Sequence, residues 1–312
     1  EKLSGSDLAV EFFCADTTLG ALVLKHGFEE PKLILLQSLP ESRLYTSTQI
    51  YQRIWQPILK HAQPGARIYF SPAGALHTAA IEYAPVSDSA IVSDLYEMHR
   101  LSSTRNISTP TQINSAGKAA VYGGIYYDTD VETMKSESSK YSLQHQPGEN
   151  RSVCERMAGL HASYLEGTLK ESKQVCQYLD SMKFQTQYLS ERQANEESFK
   201  NLSGKHLHII HIATHGFYLS GAASTPGEAL INSGLLFSGC NNVSQVPGGI
   251  DDGILTASEI SGLDLRGTRL AVLSACETGL GEITPDGVFG LQRGFKKAGV
   301  NTIIMSLWPV ND

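Results

Sequence analysis

The sequence contains no apolar run of about 18 residues, the length a bilayer-spanning helix requires, so no segment reads as a membrane span. It has no Lys/Arg run, and 25 basic residues against 32 acidic ones leave a net charge of −7. With a sequence pI near 5.8, that balance argues against nucleic acid as the main partner. There is no CxxC, no Walker A motif and no G-x-S-x-G. The last two absences weaken nucleotide-hydrolase and serine-hydrolase readings, and "GLGEITPDG" is too weak a pattern for a nucleotide loop. Internal repeats and low-complexity tracts are also missing. The opening Glu1-Lys2-Leu3-Ser4 is neither a signal peptide nor a Met start, and the expectation is an excised fragment. Cysteines are few, five in all, odd in number and widely spaced. They fit free thiols in a reducing, cytoplasmic compartment.

What is present is a chain of 312 residues, 41% hydrophobic, enough for one large or two medium domains. "DLAVEFFCA" and "LGALVLKHG" read as a hairpin, with "PKLILLQSL" as a third strand. Ile50, Ile54 and Ile58, spaced by four, mark a helix before the strand "RIYFSPAG". Residues 1–103 are expected to form a supporting, non-catalytic α+β subdomain, His77 included as a packing residue. The Ser/Thr/Asn/Pro-rich stretch 104–118 reads as a linker.

From 119 to 312 strand and helix patterns alternate. Strands are expected at 119–125, 184–190, 206–216, 233–239, 269–276 and 302–308. Helices are expected after Thr168 as N-cap, over 195–203, from Thr256, and over 287–299. Residues 129–166 read as a polar, irregular excursion. This alternation implies an α/β fold, a doubly wound, mostly parallel sheet flanked by helices. In such sheets ligands bind beyond the carboxyl ends of the strands. Two buried-strand patterns end on residues suited to nucleophilic chemistry. "HLHIIHIATHG" ends on His215-Gly216, and "LAVLSAC" ends on Cys276. A thiolate is the nucleophile, and a neighbouring imidazole activates it. The Gly216 and Cys276 N–H groups are candidate oxyanion donors. Either residue alone would read as ordinary packing; the pair on equivalent strand ends favours chemistry. His211 and His215 have H-x-x-x-H spacing, but on a strand and without the Glu of a zincin, so no metal site is read there.

The segments "HIATHGFY", "SGLLFSG", "DDGILTASEI", "LSACETGLG" and "GVFGLQRGFKKAGVNTIIMSLWPVND" together resemble the CHAT domain, the bacterial branch of the caspase and separase-like cysteine peptidases. "RIYFSPAGALHTAAIEYAPV" and "LYEMHRLSSTRNIS" resemble that family's N-terminal part. The resemblance implies a caspase-like sheet over 119–312 and a cysteine endopeptidase with a His215–Cys276 dyad. It implies Gly216 as an oxyanion donor, no cofactor and no metal.

It further implies control by an upstream tetratricopeptide-repeat region or sensor, and a protein substrate cut without nucleic acid or membrane as partner. "SACETG" departs from the caspases' Gln-Ala-Cys-Arg-Gly pattern, which argues against an aspartate pocket. The segment "WPVND" is similar to the separase Trp-Asp-Val-Thr-Asp, whose final aspartate receives an arginine. Asp312, with Asp286 as second candidate and Ser306 and Trp308 lining the groove, would then select a basic residue. The family continues past "SLWPVND", so a continuation that is trimmed, disordered or carried on a separate C-terminal fragment after nicking, and then a partner, is expected. A catalytically idle binding scaffold and a cysteine transpeptidase are the alternatives.

Overall fold

The computed structural model describes residues 3–15, 18–36, 48–108, 117–141, 161–219, 226–246, 250–275, 281–284 and 287–306. The chain divides into two compact units. One comprises residues 1–110 with 283–288; the other comprises 111–282 with 289–312.

The first unit holds β1 (Leu8–Ala15), β2 (Thr18–Lys25), β3 (Lys32–Leu36), β4 (Arg67–Ser71) and β7 (Glu97–Arg100), in the order β3-β2-β1-β4-β7. A small ribbon of β5 (Pro85–Ser87) and β6 (Ala90–Ile91) stands apart from that sheet. The hairpin read from sequence is there, with Leu8 opposite Lys25 and Ala15 opposite Thr18. The helix over 48–59 buries Ile50, Ile54 and Ile58 on one face, as their spacing requires; Tyr51–Trp55 is wound as a π-helix within it. Trp55 sits edge-on to Phe12 and Phe70, and its indole N–H donates to the Ile81 carbonyl at 2.8 Å. His77 is lowered to about 4, first by burial and then by Arg100, and so packs as a neutral ring.

The second unit is built on β8 (Lys118–Ile125), β9 (Gln185–Glu191), β10 (Ile209–Ala213), β14 (Leu270–Ser274) and β17 (Thr302–Met305), in the order β17-β14-β10-β8-β9. Every pairing among them is parallel. Three further strands form an antiparallel sheet, β11 (Gly216–Tyr218), β12 (Ser233–Leu236) and β13 (Ile254–Thr256). A final pair, β15 (Gly281–Thr284) and β16 (Gly287–Gly290), makes a ribbon whose residues 283–288 are counted with the first unit.

Period-2 alternation sends the two faces of the parallel sheet into separate clusters. Ala120, Tyr122, Ile210 and Ile212 join one core with Phe199, Ile260, Leu291 and Phe295 from helices Glu196–Lys200, Ala257–Ser261 and Leu291–Ala298. Ala119 and Val121 join the other with Leu179 from the helix Glu166–Ser181. That helix lies very close to β8: a side chain at Gly123 would meet the Thr168 carbonyl at 2.5 Å.

The chain thus has an α/β fold with a parallel sheet flanked by helices, and several local expectations need correction. Thr168 is not an N-cap: Leu165 holds that position, and Thr168 Oγ1 accepts from Gly124 N and donates to the Leu165 carbonyl. The strand expected over 206–216 is shorter: β10 spans Ile209–Ala213, with His206 at φ 50° ahead of it and the chain passing into β11 at Gly216. The helix expected over 287–299 begins at Leu291, after the glycine-flanked β16. The Thr256 capping box with Glu259 stands as read. No helix among the described residues is long and apolar enough to cross a membrane.

Candidate functional site

At the carboxyl edge of the sheet β10 and β14 are neighbours in register, Ala213 opposite Ser274, and Thr214 N donates to the Ser274 carbonyl at 3.2 Å. His215 follows Ala213 by two residues, and Cys276 follows Ser274 by two. Cys276 itself lies outside the described residues, as do Asp286, Trp308 and Asp312. Beside β14, the Ser306 hydroxyl donates to the Ala275 carbonyl at 2.7 Å, tying the end of β17 to the residue before Cys276.

The backbone at His215 turns out of the parallel sheet into β11. Leu236 N donates to the His215 carbonyl, and Leu219 N to the Asn232 carbonyl. Bonded pairs therefore fall at 215 and 219, and with Gly216 opposite Leu235 the glycine takes a non-bonded position. Its N–H points away from β12.

His215 is fixed from two sides. Its Nε2 lies 2.8 Å from the Ser163 carbonyl. A carbonyl only accepts, so the proton sits on Nε2 and Nδ1 carries the lone pair of the neutral ring. The Tyr127 ring packs at 5.1 Å between centroids. Thr214 Oγ1 spends its proton on the Leu236 carbonyl at 2.5 Å. Tyr127 Oη must then donate to Thr214 Oγ1, at 2.9 Å, and its oxygen receives His215 N–H at 3.4 Å. This directional chain holds both ring and backbone. Sequence reading did not single out Tyr127 or Ser163. A backbone carbonyl 52 residues away leaves no motif.

His211, four residues earlier, has a different setting. It is buried against the helix Glu166–Ser181, with Nε2 3.1 Å from Glu171 Oε1, off the axis of a good hydrogen bond. Glu171 Oε2 accepts from Ser274 Oγ at 3.0 Å. Burial opposes the Glu171 charge, but His211 and Ser274 outweigh it and hold the carboxyl below its usual range. The order is His–Glu–Ser, with the carboxylate in the middle, so Ser274 has no imidazole base and this is not a hydrolase triad.

A metal-like cluster also occurs at the helices Glu196–Lys200 and Ala257–Ser261. Glu196, Asp251 and Glu259 converge within 4.8 Å, but Lys200 Nζ stands among them at 2.7, 2.7 and 3.0 Å. The ammonium supplies the counter-charge there.

The family model for the CHAT domain matches residues 45–312. The chain belongs to the CHAT domain family. That family is related to the caspase-like peptidases, and its matched span includes both His215 and Cys276. The chain is also similar to the mouse Tetratricopeptide repeat protein 28, 41% identical over 58 residues, which is 18% of this chain and 2% of that protein.

Proposed function

We propose that this CHAT domain is a cysteine endopeptidase of caspase and separase-like type, with His215 and Cys276 as its dyad. The observation that carries the reading is the β10–β14 register. Ala213 and Ser274 lie opposite one another on adjacent strands, about 4.8 Å apart, and His215 and Cys276 each follow that pair by two residues in sequence. We take that shared strand end to bring imidazole and thiol within reach of one another.

In this reading His215 Nδ1, bare because Nε2–H is committed to Ser163, takes the Cys276 thiol proton. The thiolate attacks the scissile carbonyl carbon, and the Gly216 N–H, aimed away from β12, stabilises the oxyanion. The C–N bond breaks as the imidazolium returns its proton to the leaving amine. Water then hydrolyses the thioester and restores the thiol. Asp312, or Asp286, receives the guanidinium of a basic residue before the scissile bond, with Ser306 and Trp308 beside the groove. The likeness to part of a tetratricopeptide repeat protein supports control by a repeat region, in cis or as a partner, and the substrate is a protein.

The test is cleavage of a peptide library by the chain and by Cys276→Ala. Cleavage after Arg, lost in the variant, is the expected result. No difference between the two would leave a binding scaffold as the better reading. Amine-dependent ligation in place of hydrolysis would make the same dyad a transpeptidase.

A further inference from the structure

The Ser163 carbonyl sits in a short segment, 161–165, that runs past His215 just ahead of the helix Glu166–Ser181. One side chain grips this segment by its backbone. Asn241 Oδ1 accepts from Ala162 N at 2.9 Å, and Asn241 Nδ2 donates to the Ala162 carbonyl at 3.0 Å. Only one orientation of the carboxamide satisfies both contacts, so its oxygen and nitrogen are assigned without ambiguity. Asn241 Nδ2 also donates to Asp128 Oδ1 at 2.8 Å, and Asn241 N donates to the Tyr127 carbonyl at 3.1 Å. The turn carrying Asn241 is thereby pinned to the same loop that places the Tyr127 ring against His215. Tyr164 adds an edge contact to Tyr126, 5.7 Å between centroids.

We propose that Asn241 is a positioning residue for His215: its carboxamide clamps the Ala162 peptide groups so that the next carbonyl, Ser163, holds the imidazole by Nε2–H. This role rests on the dyad reading, since it matters for turnover only if Nδ1 is the base. Without the clamp the 161–165 backbone loses two hydrogen bonds to protein, the Ser163 carbonyl wanders, and the ring is free to rotate or change tautomer. Orienting partners behind metal-bound histidines are worth about ten- to a hundredfold in function, and the same scale is expected for a base held by its far nitrogen.

The experiment compares the full chain with Asn241→Ala and with Asn241→Asp. The aspartate keeps size but turns a carboxylate toward both the Ala162 carbonyl and Asp128. In the unsubstituted chain, nitrogen-15 and proton spectra should show His215 protonated at Nε2, with that proton exchanging slowly with water. Both variants should lose the protected signal while retaining the fold by circular dichroism. On a cleaved peptide kcat should fall roughly ten- to a hundredfold, with KM within about twofold. A protected Nε2–H in both variants, a bare Nε2 in the unsubstituted chain, or an unchanged kcat overturns the proposal. If Asn241→Ala does not fold, the near-isosteric aspartate variant decides. If the chain cleaves nothing, the spectra still separate the two ideas. Loss of the signal upholds the clamp while the peptidase reading falls, and its retention sinks the clamp.

Discussion

His211 and His215 lie four residues apart on one segment of chain, yet their surroundings differ in kind. His211 is enclosed by the helix Glu166–Ser181, and its partner is a carboxylate that also binds Ser274. His215 lies at the strand's end, partly exposed, with a carbonyl on one nitrogen and a hydroxyl chain behind its backbone. A carboxylate under a helix, set between the His211 ring and the Ser274 hydroxyl, links two strands. A carbonyl contact at the edge orders a ring while leaving its other nitrogen for substrate chemistry. The same residue type thus serves as a fastener in one place and, in our reading, as a base in the other.

The largest effect should come from the edge. Cys276→Ala and His215→Ala should each lower cleavage at least about 10³-fold while thermal unfolding stays nearly unchanged, since triad-type residues act as a unit. Assays on matched folded protein, with melting curves, check this. A His215→Ala chain that still turns over would erase the contrast with His211.

Next in size is the buried cluster around Lys200. Lys200→Met would leave Glu196, Asp251 and Glu259 without their central cation. Breaking a buried ion pair by removing one partner costs about 3–5 kcal/mol. Denaturant titration measures it. The cluster also carries a pH signature. Burial first, and then the Glu259 charge, push the Glu196 carboxyl well above its ordinary 4.5. Its proton is kept in the folded chain while the unfolded chain's glutamate ionises. That stability is whole below 4.5 and is lost as pH rises towards the raised value. Glu196→Gln should therefore gain melting temperature relative to the unsubstituted chain as pH climbs from 4.5 towards neutrality.

A smaller effect belongs to His211. His211→Ala removes a buried ring and its contact with a half-exposed carboxylate, and should cost about 2 kcal/mol. Cleavage per folded molecule should stay within about threefold. A loss comparable to that of His215→Ala would mean that the Glu171–Ser274 link shapes the edge directly.

Much of this arrangement was legible in the sequence, for reasons particular residues make plain. Ile50, Ile54 and Ile58 gave the helix of the first unit because one apolar face repeats every turn. The runs ending at Ala213 and Ser274 read as buried parallel strands because both of their faces are covered. Thr168 misled because a threonine ahead of a helical pattern looks like a cap, whereas here it receives the N–H of Gly124 across the packing interface. The pattern from Gly287 looked helical throughout, but Gly290 enters the helix in extended geometry and the first turn is only complete beyond it.

The Lys200 cluster, assembled from residues 51 and 59 positions further along, has no local spacing to read. Ser163 acts through its backbone, which any residue could supply. Asn241 sits in "CNNVSQ", where nothing distinguishes a clamp from an ordinary turn asparagine. The proposed pair, His215 and Cys276, could be read from the sequence; Ser163 and Tyr127, which hold the His215 ring, could not.

The central claim is that Cys276 is a thiol activated by His215, and site-resolved alkylation tests it without knowing a substrate. Cys14 is an internal reference: it is exposed, and burial raises its thiol somewhat above the usual value. The intact chain is treated with iodoacetamide near pH 6.5, and each cysteine's rate is followed by peptide mass spectrometry, in parallel with His215→Ala. The account predicts that Cys276 reacts at least about tenfold faster than Cys14 and that His215→Ala removes the advantage. Equal rates at the two cysteines, or a Cys276 rate indifferent to the loss of His215, would contradict it.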